Sequence, residues 1–216
     1  IVIGNATVSD VQTAIEVACF HRGTMIRTPG GDRAVETLAI GDRITTIDGV
    51  SRPIKWIGYR AFKSRFVGQS KKVVPIRIEA GAIADNVPSR PLLLSPGHSL
   101  YVDGVLVNAD LLINGTTVRQ ELASDLIEYY HIELETPDVI FANDAPSETY
   151  VNDENRPMFL NWQEYEGLYG PDEPARRDEH NAVLHRFRYV QAGEELQGLR
   201  AAVDARSPKA AMAAVA

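Results

Sequence analysis

The sequence contains a single cysteine, Cys19, and a thiol is the best nucleophile that a protein offers near neutral pH. Because the ordinary pKa of a thiol is near 8.5, only a small fraction is ionised at about pH 7, so a base or a strained target must assist it. A lone cysteine is more often a small buried apolar side chain. One cysteine excludes an internal disulfide and any multi-cysteine metal site.

Of the five histidines, three are candidate proton-transfer partners for this thiol. His21 lies two residues after Cys19, and alternate residues of a strand share one face. His98 follows a Ser-Pro-Gly turn sequence, and His131 lies in a β-prone run. The remaining two histidines lie in polar, proline-containing sequence and are expected to be exposed: His180 and His185.

Short β-prone runs separated by turn signals must position these side chains over roughly the first 150 residues. Asp48-Gly49 and Asp103-Gly104 are frequent two-residue hairpin turns because both residue types tolerate positive φ. The second lies between Ser99–Val102 and Val105–Val107 and is the clearest hairpin signal. Many short strands at near-regular spacing predict an all-β barrel or sandwich-like body.

The sequence changes character after about Val151. Residues 170–180 are polar and proline-containing, which is typical of a connector. Gly193–Arg206 is predicted to be an amphipathic helix, because its apolar residues recur on one face and Ser207-Pro208 ends it. These apolar residues are Leu196, Leu199 and Val203.

The composition limits the class of protein. The 216 residues carry 22 basic and 29 acidic side chains, a net charge of −7, which disfavours nucleic acid as the main partner. No apolar run approaches the roughly 20 residues of a membrane-spanning helix. The chain begins at Ile1 rather than methionine, which is typical of a piece of a longer product, and no signal-peptide pattern occurs in it, so the compartment stays open.

Several segments form an ordered series of motifs. Cys19 opens the run CFHRGTMIRTPGGD, Val35 opens VETLAIGDRITTIDG, Leu94 opens LSPGHSLYVDG and Tyr129 opens YYHIEL. In this order they resemble the Hint (hedgehog/intein) self-processing domains, most closely the bacterial branch. The resemblance implies a compact Hint-type β-fold over residues 19–155, a flanking segment over 1–18, and a linker with a small helical appendage over 156–216.

The resemblance also implies roles for individual side chains. Cys19 would attack the carbonyl carbon of Ala18 and convert the Ala18–Cys19 amide into a thioester, which is an N–S acyl shift. His98, in the family's histidine position, would polarise the amide and protonate the departing nitrogen. Ser95, in the place of the family's threonine, would donate to the oxyanion through its hydroxyl or its backbone N–H. His131 stands where relatives carry an aspartate, and is either a base or a structural strand histidine.

Two departures from the family pattern bear on the outcome. Asn143 has neither a preceding histidine nor a following Cys, Ser or Thr, so splicing through asparagine cyclisation is not expected. Pro137 replaces a histidine that many relatives carry, which predicts slow or absent resolution of the thioester if that histidine assists it. Asp138 and His21 are the next candidate bases after His131.

The sequence therefore predicts a single-turnover, self-cleaving cysteine autoprotease whose substrate is its own N-terminal flanking segment. Water or another small nucleophile would resolve the thioester between Ala18 and Cys19, without a cofactor or a metal. Two alternatives stay open. One is a catalytically degenerate Hint domain that serves as a structural module of an exported or cell-surface bacterial protein. The other is a cysteine hydrolase acting in trans, which requires a substrate cleft.

Overall fold

The computed structural model describes residues 18–67, 72–122, 124–152, 154–171 and 187–207. The flanking segment before Ala18 lies outside these ranges, as do His180, His185 and most of the polar connector that contains them. None of the helices in the described ranges has the length and apolar character needed to cross a membrane.

Short strands carry most of the regular structure in the described ranges. In chain order they are β1 (Phe20–His21), β2 (Met25–Thr28), β3 (Gly31–Ala34), β4 (Arg43–Thr45), β5 (Ser51–Pro53), β6 (Trp56–Lys63), β7 (Ile76–Ile78), β8 (Leu92–Leu94), β9 (Ser99–Val102), β10 (Val105–Asn108), β11 (Val118–Gln120), β12 (Leu126–Glu133), β13 (Val139–Ala142), β14 (Ala145–Glu148) and β15 (Arg188–Tyr189). The α-helices are α1 (Ser64–Val67), α2 (Trp162–Tyr169) and α3 (Gly193–Ala205). The predicted all-β class with a C-terminal helix is confirmed.

The strands form two large sheets in the described part of the chain. One has the order β11-β7-β8-β1-β12-β6 and the other β15-β10-β9-β14-β13-β2-β3, while β4 and β5 pair separately. Strand β1, which begins directly after Cys19, is therefore held between β8 and β12, two strands from much later in the chain. This topology brings distant motifs to the one position where Cys19 lies.

The predicted hairpin at Asp103-Gly104 is confirmed. Strands β9 and β10 pair in antiparallel register from Val105 opposite Val102 to Asn108 opposite Ser99. Asp103 and Gly104 both have positive φ, 48° and 86°. Positive φ at both central residues is what a tight turn needs to match the twist of its strands.

Helix α3 packs onto the β-body through the face that the sequence predicts. Leu196, Leu199 and Val203 are all buried in the same apolar cluster as Leu112. The helix ends at Ala205, with Arg206 as its C-cap. The C-terminal segment thus contributes to the larger core.

Gly58 lies where β6 packs against the segment before α2, and its replacement is expected to lower the stability of the fold. A Cβ atom at this position would lie 2.5 Å from two ring carbons of Phe159, so Gly58→Ala overpacks the core. We expect a loss of about 1–3 kcal/mol in the free energy of unfolding, measured by urea titration. The matched control is Gly167→Ala within α2, where a Cβ meets nothing within 4 Å; it should gain up to about 1 kcal/mol. Equal stability of the two variants would contradict the prediction.

Candidate active site

Cys19 lies at the entrance to β1 and is only 1% exposed. Its side chain belongs to an apolar cluster with Trp56, Tyr129 and Phe159. Burial disfavours the charged thiolate and raises the pKa of the Cys19 thiol to about 12. The candidate nucleophile is therefore a neutral thiol at neutral pH and must lose its proton during attack.

Ser95 follows β8 and pairs with Cys19 through two hydrogen bonds. The Cys19 backbone N–H donates to Ser95 Oγ at 2.7 Å, and the Ser95 N–H donates to the Cys19 carbonyl oxygen at 2.9 Å. Because the Cys19 nitrogen belongs to the Ala18–Cys19 amide, the Ser95 hydroxyl contacts the nitrogen side of that bond. The resemblance placed Ser95 at the oxyanion, but its backbone N–H serves the carbonyl of Cys19 rather than that of Ala18.

A tight turn after Ser95 positions His98 near Cys19. Its backbone N–H donates to the Ser95 carbonyl oxygen at 3.1 Å, so Pro96 and Gly97 occupy the centre of the turn. The His98 ring is fully buried, with its centroid 4.3 Å from that of Phe20. The turn thus brings Ser95 and His98 together beside the residues that surround the amide.

The His98 ring is neutral in this environment. Burial lowers its pKa from 6.5 to about 3, although the nearby backbone of Cys19 and Glu148 favours the protonated ring. Neither ring nitrogen makes a well-formed hydrogen bond with the described residues. A neutral imidazole carries a proton on one nitrogen and a lone pair on the other, so His98 can both donate and accept a proton.

His131 lies on β12, the other neighbour of β1. Phe20 pairs with Tyr130, and continuing this antiparallel register places His131 opposite Cys19. The ring is buried, with its centroid 5.5 Å from that of His98, and its Nδ1 has no hydrogen-bond partner among the described residues. Burial, and then the unfavourable electrostatic interaction of a protonated His131 ring with His98 and Arg156, hold the pKa of His131 well below 6.5.

The two buried histidines predict acid-sensitive folding. Their pKa values are lower in the folded chain than the ordinary 6.5, so the unfolded chain binds the protons, and stability present above pH 6.5 is lost as the pH falls towards 3. For each histidine, every pH unit below 6.5 lowers the free energy of unfolding by about 1.4 kcal/mol until the folded-state pKa is reached. We expect His98→Gln to remove about half of this loss between about pH 6.5 and pH 5, before most carboxylates titrate, in urea unfolding series. Identical pH profiles of variant and parent would refute it.

The contacts of the next candidate bases lie outside the Ala18–Cys19 amide, although Nε2 of His21 has no hydrogen-bond partner among the described residues. Asp138 is buried, and its Oδ2 accepts a hydrogen bond from Arg52 Nε at 3.0 Å. His21 packs edge-on against Tyr129, and its Nδ1 lies 2.9 Å from the Arg22 carbonyl oxygen. Neither contact directs these side chains at the Ala18–Cys19 amide.

Asn143, the candidate for asparagine cyclisation, is held in a structural role. Its Oδ1 accepts a hydrogen bond from the Met25 N–H at 2.8 Å, and its Nδ2 donates to the Pro91 carbonyl oxygen at 2.9 Å. A side-chain nitrogen held in this way is committed to linking neighbouring segments of the fold.

Arg60 is a buried site residue that the motifs do not identify. Its charge acts on Cys19 and Tyr129, and the whole residue is 7% exposed. The alternation along β6 would have placed it inward, since Trp56 and Phe62 are buried on the same face. The described residues contain no group of histidine, cysteine and acidic side chains that could hold a metal ion.

Comparison with known proteins identifies one matching family and several similar folds. A family model described as "Hint domain" matches residues 18–154. A variant of the MchDnaB-1 intein is 14% identical, with 61% of this chain and 99% of that chain covered and a TM-score of 0.43. The bacterial intein-like domain from Clostridium thermocellum is 16% identical, with coverages of 62% and 99% and a TM-score of 0.45. A DnaB intein from Synechocystis is 11% identical, with coverages of 62% and 100% and a TM-score of 0.43. No curated protein matches the chain.

Proposed function

Because the chain belongs to the Hint domain family, we propose that it is a single-turnover autoprotease that cleaves its own Ala18–Cys19 peptide bond through a thioester. The observation that carries this proposal is the 2.7 Å hydrogen bond from the Cys19 nitrogen to Ser95 Oγ. It places a polar side chain on the nitrogen that must leave, at the residue whose thiol is the candidate nucleophile. His98 and His131 on the two neighbouring segments supply proton-transfer groups.

The acyl shift balances without any external reagent. Cys19 Sγ attacks the carbonyl carbon of Ala18, so an S–C bond forms and the C–N bond to Cys19 breaks. The thiol proton ends on the Cys19 nitrogen, which becomes a free amine. Neutral His98 can accept a proton on one ring nitrogen and deliver one from the other, and the Ser95 hydroxyl is in contact with the nitrogen that receives it.

Resolution of the thioester makes the reaction irreversible. An amide is more stable than a thioester, so the shift leads to cleavage only when water or another small nucleophile attacks the Ala18 acyl group. The products are then residues 1–18, hydrolysed or capped by that nucleophile, and a fragment that begins at Cys19. The fragment keeps the Hint domain of residues 19–155 together with the C-terminal residues 156–216.

Cleavage without splicing follows from the same residues. The contacts of Asn143 with Met25 and Pro91 support a structural role for its side chain rather than cyclisation. Asp144 follows it and carries no nucleophile for a transferred acyl group. We therefore propose that the N-terminal segment is released and is not joined to any later residue.

The burial of Cys19 argues against hydrolysis in trans. At 1% exposure the thiol has no open approach for a separate substrate, whereas the adjacent Ala18 carbonyl needs none. The remaining alternative is a catalytically degenerate Hint domain. It predicts that the intact mass of the chain does not change with time.

Intact-mass measurements on the chain and on His131→Ala test the function and the resolving base together. If His131 supplies the base of the second step, the unaltered chain should lose residues 1–18 spontaneously, while His131→Ala should accumulate the thioester and release them chiefly after hydroxylamine is added. Equal spontaneous release by both would assign the base elsewhere. An unchanged mass of the unaltered chain with and without hydroxylamine would reject the function, and a spliced product or cleavage near Asn143 would favour an intein-like reaction.

A further inference from the structure

Arg60 is a cation placed in the apolar surroundings of Cys19. It lies on β6 directly opposite Tyr129 of β12, and its Cζ is 5.0 Å from the centroid of the Phe62 ring. Phe62, Tyr129 and Cys19 all belong to one apolar cluster. The guanidinium and the Cys19 thiol therefore lie on the same buried face of the sheet.

No carboxylate compensates this charge within the described ranges. The groups whose charge acts on Arg60 there are Cys19 and Tyr129. The contrast is Arg156, which is also buried but forms an ion pair with Glu133. A buried charge without a counter-ion is costly to folding, so an arginine in this position calls for a compensating anion at some stage of the protein's activity.

We propose that Arg60 stabilises the negative charge that develops on Cys19 Sγ during thioester formation, an inference that rests on the autoproteolytic function proposed above. Among the described residues no anionic group acts on Cys19 and opposes this role, and the neighbouring Tyr129 is a neutral phenol whose hydroxyl donates to the Val73 carbonyl oxygen at 2.8 Å. Once the sulfur has lost its proton, thiolate and guanidinium form a charge-balanced pair.

The direction of the effect follows from the competition between burial and charge. Burial raises the pKa of the Cys19 thiol to about 12, and the charge of Arg60 opposes that rise. Within the described part of the chain, Arg60 is the one cation that acts on this thiol. Burial lowers the pKa of Arg60, but a guanidinium keeps its charge in a protein interior, unlike a lysine ammonium. Removal of that charge should therefore leave less thiolate at every neutral or mildly alkaline pH.

The test compares Arg60→Met, Arg60→Lys and Lys63→Met in the full chain by the rate at which hydroxylamine releases residues 1–18. Lys63→Met is the matched control, because it removes one positive charge from the exposed end of the same strand. We expect Arg60→Met to react about tenfold more slowly, with its rate–pH curve displaced by about one unit to higher pH, since one pKa unit is a tenfold change in thiolate. Arg60→Lys should recover most of the rate, and Lys63→Met should match the parent.

Each outcome decides the inference. Equal rates in Arg60→Met and the parent overturn it, and so does an Arg60→Lys variant as slow as Arg60→Met with an unshifted pH curve, because shape rather than charge would then matter. If Arg60→Met does not give a folded circular dichroism spectrum, Arg60→Gln replaces it. A parent chain that releases nothing overturns the function as well, whereas a cleaving parent with unaffected variants overturns only the role of Arg60.

Discussion

Cys19→Ala is expected to abolish hydroxylamine-dependent release of residues 1–18. Hydroxylamine attacks thioesters far faster than amides, and without the sulfur the Ala18–Cys19 linkage can only stay an amide. The measurement is intact mass after incubation of parent and variant side by side. Release that persists in Cys19→Ala would rule out the thioester mechanism, whatever the identity of the cleaved bond.

The fold of this variant provides its own control. Replacement of a buried cysteine by alanine removes one sulfur atom from the cluster of Trp56, Tyr129 and Phe159, which should cost about 1 kcal/mol of the free energy of unfolding. The two β1 pairings depend on backbone hydrogen bonds and are retained. A folded, inert variant therefore separates lost chemistry from lost structure.

The second large effect is expected at His98. If His98 moves the proton from sulfur to nitrogen, as proposed above, it should contribute roughly 10²–10⁴-fold to the rate, so His98→Ala should slow release by that factor. The measurement is the release rate of the folded fraction, with the melting temperature recorded alongside.

A second variant guards against an effect of packing alone. The His98 ring is buried against Phe20 and His131, so alanine leaves a cavity there. His98→Gln fills more of this space and keeps an N–H donor, but it cannot accept one proton while it donates another. We expect both variants to be slow. A normal rate in the folded fraction of either would return His98 to a structural role.

Local features of the fold were predictable from the sequence because they depend on neighbouring residues. The hairpin at Asp103-Gly104 follows from turn chemistry, and the buried face of α3 follows from the spacing of its leucines. The pairing of Cys19 with Ser95 joins residues 76 positions apart, and no local pattern specifies it. Only the resemblance of ordered motifs placed these two residues in one site.

The features that escaped prediction arise from the three-dimensional surroundings of single groups. Whether Ser95 contacts the nitrogen or the carbonyl of an amide depends on the strand register of β1 and β8, which the residue types do not determine. The neutral state of His98 follows from complete burial. Arg60 stood out in no motif, because its significance lies in the absence of a carboxylate near it in the described ranges.

The contact of the C-terminal segment with the site was equally unpredictable. Strand β15 pairs in parallel with β10, and the Tyr189 hydroxyl donates to Glu148 Oε2 at 2.7 Å. Glu148 Oε1 in turn accepts the backbone N–H of Ser99 at 2.7 Å, directly after His98. A parallel pairing leaves no hairpin signal in the sequence.

The position of β1 between β8 and β12 also limits when the proposed cleavage could occur during synthesis. A ribosome produces the Ala18–Cys19 bond before either partner strand of β1: Ser95 follows Cys19 by 76 residues, and β12 is complete only at Glu133, more than a hundred residues after Cys19. Until β12 has been synthesised, His131 cannot reach the bond. The order of the strands therefore ties the proposed release of the segment before Cys19 to the synthesis and folding of the later strands.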